Sequence, residues 1–223
     1  MTKTLVLQRL KKGIGSVAMS CLEPFTIALL AVFLSAVPTS ASPQQFSQWC
    51  STRDSAPPPT QTTLDLLLHI AGTSDCQRAE EILRERTSLD LSGSQIADIR
   101  PLASFANLTV LALSGNQIED LSPLSSLTHL TWLALDVNKI RDLSPLASLV
   151  KLETLVLDTN QITDLRPLAG LVRLKHLTLF DNQITDITPL AALSQLQVLA
   201  LFDNQIADIS PLANLSTLTH LLL

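Results

Sequence analysis

The sequence has 223 residues and is 46% hydrophobic, with 47 leucines set against 6 glycines, 6 phenylalanines, 2 tryptophans and no tyrosine. That apolar fraction excludes a disordered chain, and leucine alone makes up about a fifth of the residues, roughly double ordinary usage. A formal net charge of -5 lacks the basic excess that a nucleic-acid binder needs and disfavours anionic partners.

Lys3, Arg9, Lys11 and Lys12 give the chain a basic start, Phe25 to Val37 is an uncharged and mostly apolar run, and Thr39-Ser40-Ala41 supplies small residues. This order predicts a secretory signal peptide over residues 1–41, cleaved after Ala41, and hence a secreted or periplasmic protein. An apolar helix of that length reaches only about 20 Å across a hydrocarbon core of about 30 Å. Glu23-Pro24 blocks its extension backwards, so no integral membrane segment is expected after cleavage. Cys21 precedes the apolar run, the wrong order for lipid attachment, and leaves with the peptide.

Cleavage leaves 11 basic and 19 acidic residues, a net charge of -8. It also leaves Cys50 and Cys76 as an even pair in an oxidising compartment, where a disulfide is the natural state. Closing that loop stabilises by about 3 kcal/mol in the chain-entropy model. Two free thiols are the alternative if the start is not cleaved and the chain stays in the cytosol. Residues 42–85 then read as a helical amino-terminal cap. Ser51 to Thr63 is rich in proline and hydroxyls and is expected to be a loop. Leu64, Leu67 and Leu68, then Ala79, Ile82 and Leu83, recur at helical spacing on either side of a break at Gly72 to Asp75, so two short helices are expected. Covering the apolar end of a solenoid is a better use for Trp49, Cys50 and His69 than catalysis.

Asn116, Asn138, Asn160, Asn182 and Asn204 recur every 22 residues, and their surroundings move with them. Six full units begin at Arg86, Leu108, Leu130, Leu152, Leu174 and Leu196, and a seventh, partial one begins at Leu218. Leu111 and Leu113 and their equivalents alternate with other residues, which places them on the inner face of a short strand. The asparagine after each strand can satisfy turn backbone with its amide and form a buried ladder. Ser122-Pro123, Ser144-Pro145, Thr188-Pro189 and Ser210-Pro211 predict a helical turn with the hydroxyl as its N-cap. Leu124 and Leu127 close the coil from behind, and stability comes from stacking coils.

Over residues 86–223 these features resemble the 22-residue leucine-rich repeats of the bacterial internalin type and of the regulatory subunit of protein phosphatase one. Trp49-Cys50 and Cys76 resemble the amino-terminal cap of secreted bacterial members. Arg86 stands in the first unit where the others have leucine, and Ser94 stands for the ladder asparagine. The resemblance implies an α/β leucine-rich repeat solenoid, with parallel strands on the concave face, short helical or 3-10 turns on the convex face, and a protein partner of unknown identity.

The concave residues are those alternating with the inward leucines. Trp132, Val156, Phe180 and Phe202 set large apolar groups where burial is not required. Asp136, Asp158, Asp181 and Asp203 rim them, and His176 and Val198 complete the face. Trp132, Asp136, Val156, Asp158, His176, Phe180, Val198 and Phe202 are therefore the expected partner-binding residues. An envelope glycan could use the same rings, and a phosphatase-type regulatory role would follow if the start were not cleaved. Leu218, Leu221, Leu222 and Leu223 form an uncapped apolar edge on which self-association is expected.

No catalytic, cofactor or metal signature stands out. Asp136 to Asp142 superficially resembles a calcium loop but lacks its glycine and distal glutamate. His69, His129, His176 and His220 have no ligand spacing. Asn107-Leu108-Thr109 and Asn214-Leu215-Ser216 match glycosylation acceptors but are junctions between coils. The sequence therefore predicts a non-catalytic binding module.

Overall fold

The computed structural model describes residues 44–223; the expected signal peptide over residues 1–41, with Cys21, lies outside the described residues. Among the described residues three helices, α1 (Phe46–Ser51), α2 (Pro58–Ala71) and α3 (Cys76–Arg84), precede seven strands. The strands are β1 (Ser88–Asp90), β2 (Val110–Ala112), β3 (Trp132–Ala134), β4 (Thr154–Val156), β5 (His176–Thr178), β6 (Val198–Ala200) and β7 (His220–Leu222). They form one open parallel sheet in sequence order. Each strand pairs with the next in a fixed register, Leu89 beside Leu111, Leu111 beside Leu133 and onward to Leu199 beside Leu221. This is the solenoid of stacked coils that the repeat resemblance implies.

Side chains alternate across a strand, so Leu111, Leu133, Leu155, Leu177 and Leu199 point inward and are fully buried, as are Leu113, Leu135, Leu157 and Leu179. Leu124, Leu146, Leu168 and Leu190 from the 3-10 turns meet them from behind, also at 0% exposure. One coil alone cannot bury so much apolar surface, and stacked coils share it.

Asparagines hold the turns. The Asn138 amide donates to the carbonyls of Leu113, at 3.0 Å in the previous coil, and of Leu135, at 3.0 Å in its own, and its Oδ1 accepts from the Ile118 N–H at 3.0 Å. Asn116, Asn160, Asn182 and Asn204 repeat the pattern. Ser94, too short to repeat it in the first coil, instead donates its backbone N–H to Asn116 Oδ1 at 3.1 Å.

The turn caps correct one expectation. The Ser or Thr before each proline is the first residue of a 3-10 turn, and its hydroxyl does not cap it. An aspartate two residues earlier does: Asp120 Oδ1 accepts from the Ser122 N–H, Asp142 from Ser144 and Asp186 from Thr188, each at 2.8 Å. Arg100 and Arg166 therefore fill the Ser position without loss, and each also grips its aspartate through the guanidinium.

The cap is more helical than expected. Residues 51–63 are not one loop, because Arg53–Ser55 makes a 3-10 turn and α2 already begins at Pro58. Proline suits a first helical turn, where its missing N–H has no intrahelical partner. A third helix, α1, was hidden by its shortness. Gly72, at φ 69°, ends α2, and the Asp75 side chain caps α3 as the break at Gly72 to Asp75 implies.

Cys50 and Cys76 are bridged, with Cα atoms 5.6 Å apart, so α1 is tied to α3. Glu80, buried on α3, accepts from the Ser47 N–H at 2.8 Å and pairs with Arg84 at 2.6 Å. Phe46 packs on Phe105, the ring that stands in the first coil where later coils have leucine, with centroids 5.6 Å apart. Thr60 donates to the Asp98 carboxylate, Thr63 donates to the Asp98 carbonyl at 2.7 Å, and the Arg100 guanidinium lies 4.9 Å from the Trp49 ring centroid. The cap thus closes the apolar end of the first coil, and no helix among the described residues is long and apolar enough to cross a membrane.

Candidate functional site

Three rows of side chains run across the outer surface of the sheet, because every strand repeats the same register. Ser88, Val110, Trp132, Thr154, His176, Val198 and His220 open the strands. The middle row runs from Asp90 through the smaller Ala112, Ala134, Val156, Thr178 and Ala200 to Leu222. Two residues further on lie Ser114, Asp136, Asp158, Phe180 and Phe202.

Trp132, Val156, Phe180, Val198, Phe202 and Asp136 are partly exposed, and His176 is exposed. Phe180 and Phe202 stack on one another, their centroids 4.5 Å apart and their planes within 8°. Asp181 and Asp203 are exposed directly after those rings. Seven of the eight expected binding residues thus keep solvent-accessible surface on one face.

Asp158 is the exception and is corrected. It is only 5% exposed, because its Oδ2 accepts from the Thr178 hydroxyl at 2.6 Å and its Oδ1 from the Phe180 N–H at 3.0 Å. It fastens one coil to the next and is not free for a partner. Burial pushes its carboxyl above the ordinary value, and neighbouring Asp136 pushes the same way, against the lowering effect of those hydrogen bonds. Asp136 itself accepts from the Ser114 hydroxyl. Nothing in the local pattern signals this, because Thr178 lies 20 positions away and its proximity is a product of the register.

Within the calcium-like stretch Asn138 is spent in the ladder and Asp142 on the Ser144 N–H. Among the described residues no group of three or more His, Cys, Asp or Glu is placed to hold a metal ion. His129 contacts the Ala106 carbonyl at 3.2 Å, and Asn107 donates to the Arg84 carbonyl at 2.8 Å.

A family model described as "Leucine Rich repeats (2 copies)" matches residues 87–126, 128–170 and 172–214, more than half of the chain. The chain belongs to the leucine-rich repeat family. Solved structures give this repeat protein its type. An internalin (inlF) of Listeria monocytogenes is 32% identical with a TM-score of 0.59, covering 74% of this chain and 57% of its own. Internalin C2 of the same species is 33% identical with a TM-score of 0.51, covering 70% of this chain and 90% of its own. The leucine-rich repeat protein thus spans little more than half the length of the first of these internalins and is internalin-like in its repeats. No curated protein sequence matches it.

Proposed function

We propose that this leucine-rich repeat protein is a non-catalytic protein-binding module of the cell envelope or exterior, and that its partner docks on the strand face. One observation carries the reading. Trp132, Val156, Phe180 and Phe202 are partly exposed apolar side chains spread over the outer face of the sheet, outside a leucine spine that is already closed, with Leu133, Leu155, Leu157, Leu177 and Leu179 at 0% exposure. Large rings held on a rigid sheet lose little entropy on binding and dominate protein hot spots.

The internalin likeness and the Cys50–Cys76 bridge support an exported protein, since such bridges persist in oxidising compartments. A protein partner fits better than a glycan. Phe180 and Phe202 spend one ring face each on the other, which leaves less flat aromatic surface for a sugar.

The test is crosslinking and mass spectrometry on the exported protein to capture its partner, followed by binding measurements with Trp132→Ala and Phe180→Ala. Each variant is expected to lose at least about 1 kcal/mol of binding with unchanged circular dichroism. Unaltered binding by both contradicts the assignment.

A further inference from the structure

The chemistry of the strand face specifies the kind of segment that fits it, an inference that rests on the strand face being the docking surface. The middle row of Ala112, Ala134, Val156, Thr178 and Ala200 makes a low floor. The row containing Trp132 and His176 walls one side, and the row containing Asp136, Phe180 and Phe202 walls the other. Four residues along a strand separate the walls by about 13 Å, wide enough for one extended segment or one helix of about 10–12 Å diameter.

Its charge is one-sided. From Ser88 to Leu222 the outward strand positions carry Asp90, Asp136 and Asp158 and no lysine or arginine. Asp181 and Asp203 stand exposed beside the stacked rings. Lys175 directly precedes β5 but is paired with Glu153 at 2.8 Å, and Lys139, Arg141, Lys151, Arg166 and Arg173 lie outside the strands. Asp136 therefore has a hydroxyl partner, Ser114, and a like-charged neighbour, Asp158, but no counter-ion on its own face. A cation arriving from outside removes that repulsion and meets a carboxylate that needs no rearrangement.

Position adds a distance. Asp136 and Phe180 belong to coils two apart, and parallel strands lie about 4.8 Å apart, so the carboxylate row gives way to the aromatic pair after about 10 Å. We infer that the occupant of this face is a protein segment carrying a lysine or arginine about 10 Å from a large apolar side chain, the cation against Asp136 and the apolar group against Phe180 and Phe202. In an extended segment of polyproline II type, where side chains three residues apart share a face, that spacing is about three residues.

A random dodecapeptide display library panned against the full chain tests this, with the selected peptides then measured as synthetic probes. Peptides with a lysine or arginine about three residues from an aromatic or leucine are expected to be enriched. They should bind Asp136→Asn about tenfold or more weakly, since that variant keeps the acceptor for Ser114 and loses only the charge. Their affinity should also fall with salt. Panning on Asp136→Lys should enrich acidic peptides instead, provided a thermal melt shows the variant folded; if it does not fold, Asp136→Asn carries the test.

Peptides that lose binding to Phe180→Ala but lack a cation, or bind Asp136→Asn as well as the wild type, overturn this inference and leave the docking face intact. Peptides indifferent to both Phe180→Ala and Trp132→Ala overturn the docking face itself. A library that yields no binder counts against the inference.

Discussion

Asn160 shows what one side chain can hold. It donates to Leu135 and Leu157 at 3.0 Å each and accepts from Ile140 at 3.0 Å, all buried. Asn160→Ala strands a buried donor and acceptor in two coils and should cost about 2–4 kcal/mol in urea denaturation; a loss below about 0.5 kcal/mol contradicts the ladder's role. The residue just before each asparagine sits at positive φ: Gly115 at 66°, but also Val137 at 55° and Thr159 at 52°. A β-branched residue there is strained. Val137 is 51% exposed, so Val137→Asn relieves strain without losing core and should stabilise by about 0.5–1 kcal/mol. Nothing in the repeat spacing reveals that column, because glycine occupies it only at Gly93 and Gly115.

Asp158 and the turn aspartates also titrate in opposite senses. The Arg166 guanidinium lowers the Asp164 carboxyl, and the Ser210 N–H and hydroxyl lower that of Asp208. At Asp98 burial acts to raise the value, but Arg100 and Thr60 outweigh it and the net direction is down. A carboxyl lowered on folding stabilises above its unfolded value near 4 and loses that contribution as pH falls through the folded value. Asp158 is raised, so its contribution is largest at low pH and fades as pH rises through the carboxylate range. The stability of Asp158→Asn relative to wild type should therefore improve between about pH 3 and pH 6. A difference that stays flat across that range contradicts the burial argument.

At the scale of elements, the strands were legible because Leu111 and Leu113 alternate, and the turns because proline recurs. The capping group is not the hydroxyl that the pattern suggests, although its signal is present: Asp98, Asp120, Asp142, Asp164, Asp186 and Asp208 recur as strictly as the asparagines. A serine before proline satisfies the usual capping pattern and hides the aspartate two residues earlier. Asp142→Ala should cost about 1 kcal/mol and Ser144→Ala only a few tenths, measured as shifts in denaturation midpoint; the reverse order restores the hydroxyl as cap. In the amino-terminal cap, the leucine spacing of α2 was readable but its start was not, because Pro57-Pro58-Pro59 reads as a loop until Pro58 is seen to occupy the first helical turn. Reducing the Cys50–Cys76 bridge should destabilise by about 3 kcal/mol, and a melting temperature unchanged by reductant contradicts its structural role.

For the molecule as a whole, the 22-residue period is the fold, since every inward leucine meets its counterpart one period away. Removing one complete unit, residues 152–173, should leave a shorter folded solenoid with a smaller denaturant m-value. Inserting a single residue at Thr131 should break register and fold poorly; equal behaviour of the two variants by circular dichroism contradicts the stacking account. The proposed binding face was legible only in part. Alternation put Trp132, Phe180 and Phe202 on the outside, but the withdrawal of Asp158 depends on a hydroxyl from the next coil, and the stacking of the two rings depends on neighbouring strands holding them in line.

The sheet's outer surface, and not its turn side, is the face proposed to meet the partner. A photo-crosslinking amino acid placed singly at Ala134, Val156 or Thr178 on the strands, and at Ser125, Ala147 or Ala191 on the turns, tests it in the native cell. Adducts of one defined protein are expected from the strand positions alone, and adducts arising from the turn positions instead would contradict the account.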